Sequence, residues 1–255
     1  MSANFQPIAV FDLDGTLADT APDLISTLNV ILAKENLPAL PLEGAKELIG
    51  AGARALIERG FQRSGTSISE DRLEVLFQEF VAEYNNRLCV DSKLFPGVPE
   101  ALDKLSSEGI LLAVCTNKFE DQSLKLLELL GILDRFTFIS GRDTFPFFKP
   151  DPRHLTETIA KAGADPRLAV MVGDSNTDIT TAKRAEIPVI GVPFGYTDTP
   201  VDQLNPDLVV THYNDLPAAV EKLLIASLKR NFPKGISAED KASGGKWWAR
   251  QGLNL

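Results

Sequence analysis

The chain has 255 residues, 44% of them apolar and 24% charged, enough for one large domain or two small ones around a sizeable core. Its formal charge of −9 argues against a nucleic-acid partner, and no apolar run approaches the roughly 20 residues that a membrane span needs. No basic stretch followed by an apolar one marks a secretory signal, and Cys89 and Cys115 have neither metal nor redox spacing, so the expected compartment is the reducing cytoplasm.

Residues 7–13, PIAVFDL, read as a short buried strand running out towards Gly15. From about residue 20 to 92 the character is helical. DTAPDLISTLNVILAKENL carries apolar residues at helical spacing, with Asp19 or Thr20 as its cap and Pro22 early. GAKELIGAGARALIERGF and SEDRLEVLFQEFVAEYNNRL keep the helical period, and no strand pattern falls in this stretch. After FPGVP the chain alternates. Helix VPEALDKLSSEG leads to strand ILLAVCTN, helix DQSLKLLELLG to strand FTFIS, and helix DPRHLTETIAKAG to strand LAVMVGD; helix TDITTAKRAE and strands PVIGV and DLVV follow. Such alternation predicts an α/β fold, a mostly parallel sheet with helices on both faces. The expected division is a core from 1–18 and 93–228, an all-helical insert from 19–92 after the first strand, and a polar tail from 229–255. The tail holds Trp247 and Trp248. It is either loose or a strap whose indoles dock on the body or on a second subunit.

In an open α/β sheet, ligands bind outside the carboxyl ends of the strands. Three strands here end in reactive polar groups: Asp12 and Asp14, then Thr116 and Asn117, then Asp174 with Asp178 four residues on. If those strands are adjacent and parallel, all their ends face one crevice. Several carboxylates there repel one another, and a hard divalent ion such as Mg²⁺ resolves the conflict. Asp12 and Asp14 are spaced so that both project to one side while Leu13 turns to the other. One carboxylate can stay ionised and attack; the other can carry a proton to a leaving alkoxide. Gly15 lets the chain turn and exposes backbone N–H groups to an anion. Thr116 offers a hydroxyl and Asn117 lies in the same loop. Lys149, between FF and PDP, can place a point charge on a phosphoryl group and on the attacking carboxylate.

The ordered stretches DLDGTLADT, VCTNK, KPDP and VGDSNTDI together resemble the haloacid-dehalogenase-like hydrolase superfamily, over roughly residues 7 to 225. The resemblance implies a Rossmann-like core, an aspartyl-phosphate intermediate and Mg²⁺. Carried over residue by residue, it implies that Asp12 is nucleophile and metal ligand. Asp14 is then the general acid/base and binds metal through its backbone carbonyl. Thr116 and Lys149 hold the phosphoryl group, Asp174 ligates the metal, and Asp178 supports the ligands from behind. The helical insert looks like the superfamily's cap, which implies a small phosphorylated metabolite as substrate. In IGAGARALIERG, Gly50 belongs to a candidate specificity loop and Arg54 is a candidate for the substrate's far carboxylate. The same glycines fit a loose dinucleotide-binding pattern, but no strand precedes them.

DLDGTLADT, FPGV, KPDP and GVPFGY look most like the phosphoglycolate phosphatases, which implies 2-phosphoglycolate as substrate. Phe147 and Phe148, just before the lysine, and Glu186, where many relatives have Gly, depart from that pattern. A sugar phosphate, pyrophosphate or nucleotide therefore stays open as substrate. A phosphomutase shares most of this machinery, whereas a dehalogenase leaves the acidic cluster unexplained. A non-catalytic binding protein is expected to lack one of these groups, and none is missing. His154 and His212 read as surface residues, and no G-x-S-x-G elbow supports a serine triad. The expected assembly is a monomer or homodimer, without nucleic-acid or membrane partners.

Overall fold

A computed structural model describes residues 5–44, 48, 49, 52–197, 199–232 and 247. In chain order the elements are β1 (Ile8–Phe11), β2 (Ala18–Asp19), α1 (Ala21–Lys34), α2 (Ala53–Arg63), α3 (Glu70–Asn86), β3 (Lys93–Leu94) and α4 (Val98–Ser107). They continue with β4 (Leu111–Cys115), α5 (Glu120–Leu129), β5 (Phe138–Ser140), α6 (Pro152–Lys161), β6 (Ala169–Gly173), α7 (Asn176–Arg184), β7 (Val189–Gly191), β8 (Leu208–Val209) and α8 (Leu216–Asn231). Six strands form one sheet in the order β5-β4-β1-β6-β7-β8, and every pairing in it is parallel. The α/β sheet expected from the alternation is therefore present, with a Rossmann-like winding. Successive strands add to one side of β1 as far as β5 and then restart on its other side at β6. That reversal opens a crevice at the carboxyl ends of β4, β1 and β6.

The period-two pleat sorts the strand residues between two helical layers. Ile8, Val10, Ala113, Cys115, Ala169 and Met171 pack with Leu155 and Ile159 of α6 and Ile179 of α7. The alternate residues Ala9, Phe11, Leu112, Val114, Val170 and Val172 join Leu102 and Leu105 of α4 and Val220 and Leu224 of α8. Both faces of β1 are thus buried, which is why IAVF is apolar throughout rather than alternating. Helix α8 runs past residue 229, the expected start of the tail, and carries Lys229 and Arg230 in its last turn, where the dipole favours cations. Trp247 is 1% exposed and belongs to the α4/α8-side core. Its indole docks on the body as a strap would, while Trp248 lies outside the described residues.

Between β1 and β4 the helices α1, α2 and α3 pack through Leu28, Ile31, Ile57, Phe61, Leu76 and Phe80. Helix α2 starts at Ala53, later than the helical spacing from residue 44 predicts. Gly52 stands before it with φ +88°, a conformation that no helix passes through. Strands β2 and β3 pair antiparallel, Ala18 with Leu94 and Asp19 with Lys93, and so join the entry and exit of the helical segment. The departure at Glu186 has a local role. The amide of Ile187 donates to Ala182 O at 3.0 Å and that of Glu186 to Lys183 O at 3.1 Å, closing α7 in a Schellman motif with Glu186 at φ +57°. Glycine adopts that conformation without strain; glutamate does so at a modest cost.

Asp23, buried in the first turn of α1, accepts from the amides of Val90 (3.1 Å), Asp91 (3.0 Å) and Ser92 (2.9 Å) and from Ser92 Oγ (2.6 Å). One carboxylate therefore clamps the segment after α3 to the start of α1. Asp23→Ala strands these donors and is expected to destabilise the protein by roughly 3 kcal/mol, with Asp23→Asn losing less, in urea unfolding at pH 7.

Candidate active site

The Asp12 amide donates to Val172 O at 2.9 Å, so the sheet ladder carries Asp12 to the mouth of the crevice beside β6. At the end of β6, Asp174 is held by Thr16 Oγ1 at 2.8 Å and by the Tyr196 amide at 2.7 Å. Ser175 then caps α7. Its Oγ accepts from the Asp178 amide at 3.3 Å, while the Asp178 carboxylate accepts from the Ser175 amide at 3.1 Å and from Ser175 Oγ at 2.6 Å. The cap turns Asp178 back beneath the strand ends, leaving its Oδ1 for Lys149 Nζ at 2.5 Å. Lys149 Nζ also lies 2.9 Å from Asp12 Oδ1 and is 2% exposed. Its backbone is held on both sides: Asn117 Nδ2 donates to Lys149 O at 2.9 Å, and the Lys149 amide donates to His154 Nδ1 at 3.2 Å.

Asp12, Asp174 and Asp178 each place an oxygen within 4.8 Å of the others. Lys149 pairs with two of these carboxylates, Asp12 and Asp178, and Asp174 has no ion pair among the described residues. Burial lifts the Asp12 carboxyl to about 6; Asp178 pushes the same way and Lys149 pulls back. Burial lifts Asp174 well above the usual carboxylate range, with Asp178 and Asp12 adding to it. Burial works against the Lys149 ammonium, but Asp12 and Asp178 outweigh it and hold its pKa above the ordinary value. Asp12 Oδ1 is buried and takes no directed hydrogen bond among the described residues. Clustered hard oxygen donors short of positive charge fit a divalent cation.

Asp14 has separate surroundings. It accepts from Thr20 Oγ1 at 2.7 Å and pairs with Lys118 Nζ at 3.1 Å. Lys118 also donates to Tyr84 Oη on α3 at 2.9 Å. Burial opposes its ammonium, yet Asp14 holds its pKa above the ordinary lysine value. The expected capping hydroxyl of α1 is thus diverted: Thr20 makes no side-chain cap and serves Asp14 instead. Sequence reading did not single out Lys118, Tyr84 or Tyr196. Lys118 closes the quoted VCTNK stretch, so its place after a strand end was a usable signal. Tyr84 continues the apolar stripe of α3 with Leu73, Phe77 and Phe80, and by spacing alone reads as core.

Of the other expected site residues, Thr116 is buried at the end of β4, its amide donating to Ser140 O at 3.0 Å. Gly15 turns the chain as expected but keeps its own amide from the crevice. Its amide is spent on Ala18 O at 2.9 Å, so it offers no N–H to an anion. Its φ is +80°, and a Cβ there would stand 2.6 Å from Asp174 Oδ2, so glycine is what lets Asp174 approach. The structure does not bring Arg54 into the site: its guanidinium pairs with Glu70 and Glu74 on α3. Gly50 lies outside the described residues. His154 is buried, contrary to the surface reading, because the start of α6 tucks behind Lys149 and Phe145 packs edge-on at 5.9 Å. His212 is exposed as expected and accepts from the Asn214 amide at 3.1 Å.

A cavity of about 120 Å³ opens over these groups. Asp12, Asp14, Thr116, Asn117 and Asp174 form its floor; Leu56, Phe77, Phe80 and Tyr84 from α2 and α3 are among its other lining residues.

Residues 9–192 match the family model described as haloacid dehalogenase-like hydrolase. The chain belongs to that family. It is 47% identical over 220 residues to a phosphoglycolate phosphatase of Mesorhizobium japonicum, covering 86% of this chain and 97% of the relative. A phosphoglycolate phosphatase of Agrobacterium fabrum is 46% identical over 224 residues, covering 88% of this chain and 96% of the relative. A crystal structure of a predicted phosphoglycolate phosphatase from Haemophilus somnus superposes with a TM-score of 0.77 at 32% identity, covering 86% of this chain and 99% of that one.

His154 supplies a pH test of the site's scaffold. Burial, with Lys149 adding to it, lowers its pKa from 6.5 to about 4. The folded ring therefore holds a proton more weakly than the unfolded one. The resulting stability is complete above pH 6.5 and is lost as the pH falls towards 4. Urea unfolding at pH 7 and pH 5 is expected to show wild type losing about 1–2 kcal/mol more than His154→Asn, which keeps an acceptor near the Nδ1 position.

Proposed function

We propose that this phosphoric monoester hydrolase acts on 2-phosphoglycolate and carries the phosphoryl group transiently on Asp12. The observation that carries the reading is the separation of the two motif carboxylates. Asp12 sits 2.9 Å from Lys149 Nζ in the acidic cluster, and Asp14 sits apart with Lys118 and Thr20. The Lys149 ammonium favours the ionised, attacking form of Asp12, while Asp14, two residues on and outside the acidic cluster, is placed to exchange a proton with the leaving group.

In the proposed reaction an Asp12 carboxylate oxygen attacks phosphorus and the ester P–O bond breaks. Asp14 gives its proton to the departing alkoxide. Water then attacks the phosphorus of the acyl phosphate, Asp14 takes the water's proton, and phosphate leaves with Asp12 restored. Lys149 offsets repulsion between the Asp12 carboxylate and the phosphoryl oxygens, while Thr116 and Asn117 orient the ester. Asp12, Asp174 and the backbone carbonyl of Asp14 would hold Mg²⁺, with Asp178 supporting through Lys149 and Ser175. Bound there, the ion adds positive charge beside the transferring group.

The segment 19–92 then acts as a cap over a core made of 1–18 and 93–228. The position of Leu56, Phe77, Phe80 and Tyr84 on the cavity supports this, and its small volume favours a short ester over a nucleotide. Free Cys89 and Cys115 agree with a cytoplasmic enzyme, and no described helix is long and apolar enough to cross a membrane.

Phosphate release from 2-phosphoglycolate and from p-nitrophenyl phosphate, with Mg²⁺ or with EDTA, tests the reading. Release is expected to require Mg²⁺, to vanish in Asp12→Asn and to fall roughly 10²–10⁴-fold in Asp14→Asn. An active Asp12→Asn protein overturns the mechanism. Faster turnover of a sugar phosphate, pyrophosphate or nucleotide overturns the substrate. Independently of turnover, Mg²⁺ is expected to raise the melting temperature of wild type and to leave that of Asp174→Asn unchanged.

A further inference from the structure

Two cations line the cavity among the described residues, Lys118 and Arg142. Lys118 is committed to Asp14 and Tyr84. Arg142 has no carboxylate partner among the described residues; the neighbouring Asp143 instead accepts from the Glu120 amide at 2.8 Å. The Arg142 guanidinium lies 4.7 Å from the ring centre of Phe148 and 5.6 Å from that of Phe119. Phe148 is 44% exposed, and stacking against Arg142 covers part of its ring.

The backbone beneath Arg142 is tied to the loop that bears Thr116 and Asn117. Its amide donates to Lys118 O at 2.9 Å, and Gly141 packs so closely that a Cβ would lie 2.2 Å from the Glu120 amide nitrogen. The base of the Arg142 side chain is therefore fixed relative to the groups on the phosphoryl side, and its guanidinium rests against Phe148 and Phe119. The cavity wall contributed by Leu24, Ile49, Leu56 and Phe77 has no side-chain donor for an anion. An Arg fork on the same cavity, with no carboxylate partner among the described residues, suits a planar carboxylate.

We propose that Arg142, held by Phe148 and Phe119, is the specificity residue that binds a carboxylate on the substrate's carbon chain. This rests on the function proposed above and supplies the contact that Arg54, paired with Glu70 and Glu74, does not make. It also gives the Phe148 departure a role in substrate choice.

The test compares kcat/KM for 2-phosphoglycolate and for ethyl phosphate, which replaces the carboxylate by a methyl group, using the full chain with Mg²⁺. Arg142→Met is expected to lower the value for 2-phosphoglycolate roughly 10–100-fold, mainly through KM, and to leave that for ethyl phosphate within about threefold. Arg142→Lys recovers part of the loss, and Phe148→Ala loses less than Arg142→Met. If wild type hydrolyses 2-phosphoglycolate but Arg142→Met loses both substrates equally, or neither, this inference falls and the proposed function stands. If wild type hydrolyses ethyl phosphate but not 2-phosphoglycolate, both fall.

Discussion

Three carboxylates gathered where a parallel sheet ends are the constraint that the rest of this molecule answers. Asp12, Asp174 and Asp178 arrive from the ends of β1 and β6 and the first turn of α7, and Lys149 bridges Asp12 and Asp178. Burying like charges so closely is costly, and the raised pKa values of Asp12 and Asp174 express that cost. The neighbouring features act to hold the cluster together. Gly15 clears space for Asp174, Ser175 turns Asp178 inward, and Asn117 and His154 hold the backbone of Lys149. A proton, a metal or a phosphoryl-bearing ligand each changes the balance of charge at the same point.

Much of this was legible in the residues. Regular switching between two-residue and helical periods exposed the sheet and most helices, because each such element is long enough to repeat its pattern. Strands β2 and β3 are too short to carry a pattern, and α8 escaped because LPAAVEKLLIASLKRN followed a stretch already read as the last strand. Asp12, Asp14, Thr116 and Asp174 stand out because polar groups directly after apolar runs are conspicuous. Lys118, Tyr84, Tyr196 and Arg142 do not, since their importance lies in contacts with distant segments. Arg54 shows the converse. Its local setting suggested a ligand contact, but α3 presents Glu70 and Glu74 to it across the helix pair.

The helical segment does more than line the cavity. Asp14 is held by Thr20, just before α1, and through Lys118 by Tyr84, near the end of α3. One carboxylate thereby senses both ends of the segment, while Asp23 and the β2–β3 pair fasten those ends to each other. Lys118 thus joins α3 directly to Asp14. The environment of Asp14 is therefore tied to the position of the helices in a way that the acidic cluster around Lys149 is not.

The burial of Trp247 has a bearing on how the protein is made. This indole shares a core with Phe5 and Phe11 from the opposite end of the chain. The ring can reach its place only once the chain has been made through residue 247, so this layer stays incomplete while α8 itself is being synthesised. Trimming the chain after α8 to obtain a tidier protein would remove an interior side chain.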